Sequence, residues 1–234
     1  MNKSIISIAI LTGMIWVSSA IAADFQKGLD AAMKGDYSTA VKEWEPLAEQ
    51  GYASAQYNLA GLYMKGQGVP KSETIAAKWF LLAAKQGDAG AQFQMGVRHK
   101  TGNGVLRDYK KAVKWQSLAA EQGYDAAQFF LGYAYSFGEG IKQDYKLAAK
   151  WYKRSAEQGY GEAQRSLAVF YYKGDGVLQS YIRAHMWLNI AALNGVRSAP
   201  KDREIVAKGM SPADISIAQR LAQECVDKSY KGCG

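Results

Sequence analysis

The chain has 234 residues, 48% of them hydrophobic and 21% charged, and carries a formal net charge of +8. This composition excludes a disordered chain and a membrane-embedded one. The surplus of Lys and Arg would raise nucleic acid as a partner of a cytosolic protein, so the compartment has to be read first.

The N-terminus addresses the compartment. Lys3 precedes an apolar run, IISIAILTGMIWV (5–17), and small residues at Ala20 and Ala22 form the A-x-A pattern that a signal peptidase cuts. The run is too short for a membrane span of roughly 20 residues. Residues 1–22 therefore read as a cleavable signal peptide, with no stable membrane insertion after cleavage and a periplasmic or secreted mature chain of net charge +7. Export argues against a nucleic-acid partner. It also exposes the two cysteines, Cys225 and Cys233, to an oxidising environment, where a local disulfide is expected.

Residues 24–50 read as a short N-terminal capping helix pair, FQKGLDAAMKGDY and then STAVKEWEPLAEQG, with Pro46 expected to bend the second helix. From Gly51 the chain repeats with a period of 36, giving units at 51–86, 87–122, 123–158 and 159–194. Ala55, Ala91, Ala127 and Ala163 recur, followed by Gln56, Gln92, Gln128 and Gln164, and then Leu59, Met95, Leu131 and Leu167. These intervals describe one face of a first helix. Ser72, Asp108, Asp144 and Ser180 are N-cap residues for a second helix, which carries Trp79, Trp115, Trp151 and Trp187 as expected fillers between units. The aligned glutamines suggest a hydrogen-bond ladder between stacked helices. Residues 195–234 read as C-terminal capping helices, one of them started by Ser211, Pro212 and Asp214.

Between the two helices of each unit lies a glycine-marked connector: KGQGV (65–69), TGNGV (101–105), FGEGI (137–141) and KGDGV (173–177). A phosphate loop requires a strand before the glycines and Lys-Ser/Thr after them. Here a helix precedes and no Lys-Ser/Thr stands directly after the second glycine, so these are sharp turns. One hairpin cannot bury its own apolar face, so the repeats must stack on one another.

The recurring L-(A/G)-x-x-Y, G-x-G-V and D-Y-x-x-A-x-x-W pattern, clearest in GYDAAQFFLGYAYSFGEGIKQDYKLAAKWYKRSAEQ (123–158), resembles the Sel-one-like repeat family, relatives of tetratricopeptide repeats, in its secreted members. The resemblance covers residues 51–194. It implies an all-α fold, an α-solenoid of antiparallel helix pairs wound into a right-handed superhelix, and an adaptor that binds a protein or peptide partner in its concave groove, such as a periplasmic regulator or envelope-assembly factor. Carried over by register, the groove would be lined by Tyr57, Met64, Phe93, Val97, Lys100, Phe129, Tyr133, Phe137, Arg165, Val169 and Tyr172. Aromatic and Arg side chains are those that anchor interfaces.

Reactive constellations are missing from the sequence: there is no H-E-x-x-H, C-x-x-C or G-x-S-x-G. His99 takes a Tyr position in its column and His185 an Ala or Val position, so both read as packing residues. No cofactor and no catalytic activity are expected. Some cysteine-rich members of the family are described as β-lactam-binding or hydrolysing proteins, but their cysteine pair in every repeat is absent here. A further alternative is a binder of anionic envelope polymers, since Lys78, Lys114 and Lys150 recur on the second helix with Lys110, Lys111, Lys146, Lys153 and Arg154 nearby.

Overall fold

Each repeat becomes two helices because its apolar residues fall at intervals of three and four and its breakers fall between them. A computed structural model of the protein describes residues 22–233, so the expected signal peptide lies, except for Ala22, outside the described residues. The helices are α1 (22–33), α2 (Tyr37–Glu49), α3 (Ala53–Lys65), α4 (Glu73–Lys85), α5 (Ala89–Thr101), α6 (Tyr109–Glu121), α7 (Asp125–Phe137), α8 (Tyr145–Ala156), α9 (Gly161–Lys173), α10 (Tyr181–Leu193), α11 (Ala199–Ala207) and α12 (Pro212–Asp227). Among the described residues there is no strand. The fold is an α-solenoid of consecutive antiparallel helix pairs.

The caps explain where the helices begin and end. Ser72, Asp108, Asp144 and Ser180 each accept a hydrogen bond from the backbone N–H three residues on. Gly66, Gly102, Gly138 and Gly174 close α3, α5, α7 and α9 in the left-handed conformation. Helix α12 starts with a full capping box from Ser211 and Asp214. Pro46 does not interrupt α2: it stands within the final turn, and the helix continues to Glu49.

The chain divides into two compact units, one ending at Arg107 and the other starting at Asp108. In the first, α2 packs on α3, α3 on α4, and α4 on α5. Its core includes Trp44, Leu47, Leu59 and Leu62, and the Trp44 indole donates to the Phe25 carbonyl at 3.2 Å. Arg98 is buried here as well. Its Nη1 meets Glu73 Oε2 at 2.9 Å and the Asn103 carbonyl at 3.2 Å, and its guanidinium lies over the Phe80 ring.

In the second unit the packing runs α6 on α7, α7 on α8, α8 on α9 and α9 on α10, with α11 and α12 both seated on α10. Tyr152, Leu167, Phe170, Trp187, Ile190 and Cys225 belong to one core cluster. Cys225 and Cys233 are joined by a disulfide across eight positions. Tyr230, inside that loop, donates its hydroxyl to Asn194 Oδ1 at 3.0 Å.

The glutamines make a ladder. Gln56, Gln92, Gln128 and Gln164 donate to the carbonyls of Ala48, Ala84, Ala120 and Ala156, at the end of the preceding helix. Gln56, Gln128 and Gln164 also accept from Gln86, Gln158 and Asn194 thirty residues later. Buried amides are thereby satisfied, as burial requires. Three of the four repeat tryptophans differ from expectation. Trp79, Trp115 and Trp151 are half-buried, whereas Phe80, Gln116, Tyr152 and Leu188, one residue on, are buried. One residue turns a helix by about 100°, so in those three repeats only one of the two adjacent columns points fully inward, whereas in the last repeat Trp187 is buried beside Leu188.

Candidate functional site

Within the second unit, three helices build a groove. On α7, Phe129, Tyr133, Ser136 and Phe137 fall at helical intervals and share a face; on α9, Glu162, Arg165, Ser166, Val169, Phe170 and Lys173 do the same. Tyr145 and Tyr152 contribute from α8, while Gln143 and Asp175 contribute from the connectors. Together they line a cavity of about 450 Å³.

The floor is aromatic. Phe129 lies 5.7 Å from Tyr152, which lies 5.3 Å from Phe170, which lies 6.0 Å from Tyr145, centroid to centroid. Gly132 permits this arrangement, since a Cβ there would stand 2.8 Å from the Tyr152 ring. The Tyr152 hydroxyl meets Ser136 Oγ at 3.2 Å, and burial pushes its pKa up to about 12, so it stays protonated across the ordinary pH range. At the mouth stands Phe137, 64% exposed, against Tyr133 at 4.5 Å. The floor is fixed by packing. The rim offers apolar surface to solvent.

The residues expected to line a groove divide between the units. Phe129, Tyr133, Phe137, Arg165 and Val169 line this one cavity. Val169 and Tyr172 line a smaller cavity of about 120 Å³ with Leu188, Ile205 and Val206, and Tyr172 stacks on Tyr181 at 5.4 Å. In the first unit, Tyr57 and Met64 line a cavity of about 400 Å³ with Leu29, Met33, Tyr37 and Phe80. Phe93, Val97 and Lys100 are half-buried on α5. Arg165 is not a free anchor: its Nε donates to Asp202 Oδ2 at 2.6 Å, so α11 already holds its charge. The pairing was invisible at sequence level because Asp202 lies thirty-seven positions away, outside the repeat.

Ser136, Glu162 and Lys173 also line the groove and share the register of the named residues, so spacing alone was able to find them. Tyr152 and Phe170 had no such signal.

The histidines are tied into the fold. His99 Nδ1 lies 3.2 Å from the Leu106 carbonyl and holds the connector after α5. His185 is buried with Nδ1 3.1 Å from Asn189 Nδ2, and Arg203 donates to Asn189 Oδ1 at 2.7 Å. Burial, helped by the Arg203 charge, lowers the His185 pKa and favours the neutral ring. Among the described residues no cluster of His, Cys, Asp and Glu is arranged to hold a metal, and no helix is long and apolar enough to cross a membrane.

The Sel1 repeat model matches four consecutive segments, 53–88, 89–124, 125–160 and 161–196. The chain belongs to the Sel1 repeat family. Sel1 repeat proteins are in general protein-interaction scaffolds and are not typically enzymes. Among solved structures, a protective antigen of uropathogenic Escherichia coli with an SLR fold is 33% identical with a TM-score of 0.78, over 91% of this chain and 47% of that one. The chain thus spans about half the length of that antigen. A Sel1 repeat protein from Oxalobacter formigenes is 34% identical with a TM-score of 0.74, over 85% of this chain and 84% of that one. A Sel1 repeat protein from Klebsiella pneumoniae, 20% identical over 80% of this chain and 93% of that one with a TM-score of 0.51, shares the fold. Among curated proteins, no sequence matches the chain.

Proposed function

We propose that this Sel1 repeat protein is an exported adaptor that holds a segment of a protein partner in the groove between α7 and α9. The observation that carries the reading is Phe137 resting on Tyr133 at the mouth of an aromatic cavity. An exposed phenylalanine keeps apolar surface in water, and a contiguous patch of this kind marks a surface that something covers. Export rests on the Lys3, apolar run and Ala20-x-Ala22 pattern of the N-terminus. The mature chain is then periplasmic or secreted, and periplasmic regulation or envelope assembly is the class of work that fits.

We assign no catalytic role. The groups that an enzyme would use are spent on structure: His99 on the Leu106 carbonyl, His185 on Asn189, and the glutamines on helix-end carbonyls. A binder of anionic polymers would use the Lys residues of α6 and α8 instead. Lys110, Lys114, Lys146 and Lys150 are exposed, but Lys111 and Lys153 face Asp108 and Glu157, and Arg154 covers the Trp151 ring.

A photo-crosslinking residue placed at position 137 or at position 114 of the exported protein separates the two readings. Position 137 should give a discrete crosslinked protein in the native envelope, and position 114 should not. Crosslinking at 114 alone would refute the groove.

A further inference from the structure

One junction of the second unit departs from the repeat. By register His185 of α10 follows Ala77, Val113 and Ala149, and Arg203 of α11 follows Leu59, Met95, Leu131 and Leu167, so both stand in columns that are otherwise apolar. Asn189 bridges the two. Arg203 Nη1 donates to Asn189 Oδ1 at 2.7 Å, and Asn189 Nδ2 lies 3.1 Å from Nδ1 of the buried His185.

The ends of this relay fix its direction. A guanidinium only donates, so Asn189 must turn its oxygen to Arg203 and its amide nitrogen to the ring. His185 Nδ1 must then accept, which requires a neutral ring with its proton on Nε2. A charged imidazole donates from both nitrogens. It would set Nδ1–H against the Asn189 N–H, and rotating the amide would set that N–H against Arg203 instead. Only the neutral ring closes the relay.

The neighbouring residue of α11 ties this relay to the groove. Asp202 accepts from Arg165 Nε at 2.6 Å, and Arg165 lines the cavity between α7 and α9. Two consecutive residues of α11 thus grip α9 and α10. Little else holds that helix: it has nine residues and buries Ala199 and Val206. A helix of that length is marginal without tertiary contacts.

Helices α9, α11 and α12 pack on α10, and Arg203 is the charge from them that acts on the ring. On α9, Arg165 is held by Asp202, and Glu162 and Lys173 are exposed. On α11, Lys201 and Glu204 are exposed. On α12, Asp214 is held by Ser211, Glu224 by Arg220 and Asp227 by Gln223. Arg183, on α10 itself, covers the Tyr171 ring.

We infer that His185, Asn189 and Arg203 form an acid-sensitive latch: protonation of His185 opens the relay, loosens α11 and releases Arg165 from Asp202 into the groove. Burial and then the Arg203 charge hold the His185 pKa below the ordinary 6.5. The contribution of the latch is therefore complete above pH 6.5 and is lost as pH falls through the folded-state value. It holds whatever occupies the groove.

The test follows the mature protein by NMR from about pH 7.5 to about pH 5, a window in which ordinary carboxylates stay largely ionised. Imidazole nitrogen shifts should show the Nε2–H tautomer of His185 at neutral pH. Amide exchange in α11, corrected for the intrinsic effect of pH, should rise about two- to tenfold on acidification, the equilibrium worth of one hydrogen bond. The Arg165 Nε–H should lose protection in step, and α7 should stay unchanged. His185→Gln, whose neutral amide can accept the same bond without titrating, should abolish the rise. Arg203→Leu, which restores the residue type of the earlier repeats, should raise the His185 midpoint, because Asn189 can then offer its oxygen to the charged ring. An Nδ1–H or charged ring at neutral pH, or an unmoved midpoint in Arg203→Leu, would overturn the inference. So would equal acceleration in wild type and His185→Gln, acceleration spread equally over α7, or a loosened α11 with Arg165 Nε–H still protected.

Discussion

Replacing Gly138 and Gly140 separately by Ala tests whether the G-x-G connectors are structural turns. Both residues are left-handed, at φ of 70° and 72°. A side chain in that region costs roughly 1–2 kcal/mol for steric reasons alone. Around Gly138 there is room: its added Cβ would lie 3.6 Å from Gln143 Cβ and from the Ile141 carbonyl, ordinary contact distances. Around Gly140 there is none. Its Cβ would overlap the Tyr109 carbonyl and stand 2.9 Å from the Lys110 nitrogen, both rigid backbone at the start of α6. Overpacking of this kind adds about 1–3 kcal/mol. Gly138→Ala should therefore lose about 1–2 kcal/mol and Gly140→Ala about 2–5 kcal/mol, measured by urea denaturation of the mature protein. The next repeat supplies a replicate, because Gly176 meets the Tyr145 carbonyl as Gly140 meets that of Tyr109, while Gly174 is less crowded. Equal losses at the first and second glycine of a connector would refute the packing account.

Gln116 is buried in the column of Phe80, Tyr152 and Leu188, and its Nε2 meets no partner among the described residues; Gln116→Leu should raise stability by about 1–2 kcal/mol in the same urea assay. Cys225→Ser with Cys233→Ser opens an eight-position loop and should cost about 2.5 kcal/mol by chain entropy, with reductant lowering the wild-type midpoint and leaving the variant unmoved. Tyr152 has a folded-state pKa raised to about 12 against the ordinary 10, so its contribution is complete below pH 10 and lost as pH rises through 12. The wild type should lose on the order of 2–3 kcal/mol more than Tyr152→Phe between pH 8 and pH 12 from this group; parallel pH profiles would contradict the burial assigned to the hydroxyl.

Repetition made most of the fold legible. Four copies of one period gave every helix four chances to show its N-cap, its glycine stop and its small-residue column, and an error in one copy was corrected by the others. The aligned glutamines could be read as a ladder because a polar residue kept in register on an apolar face needs a partner. What the period could not show was the choice between adjacent apolar columns: Trp79 and Phe80 both fit an apolar stripe, and only packing selects Phe80 as the buried one. Contacts that leave the repeat were equally hidden. Arg165 looks like a free anchor by register, yet Asp202 from the C-terminal cap takes its charge. Arg98 stands where other repeats have Leu62, Ala134 and Phe170, and nothing in that column announces a buried guanidinium bound to Glu73. In the groove, register makes Phe129 a lining residue, but it also packs on Phe130, Tyr152 and Tyr160, so Phe129→Ala would disturb the core as well as the site.

Phe137 is the cleaner probe, being 64% exposed at the end of α7. The decisive measurement is the affinity of the partner recovered by crosslinking at position 137 for the wild type, Phe137→Ala, Tyr133→Ala and Lys114→Glu, each checked for unchanged helicity. The groove account predicts a loss of about 1–3 kcal/mol for each aromatic substitution and less than about 1 kcal/mol for Lys114→Glu. Binding abolished by Lys114→Glu and untouched by the two aromatic changes would contradict it.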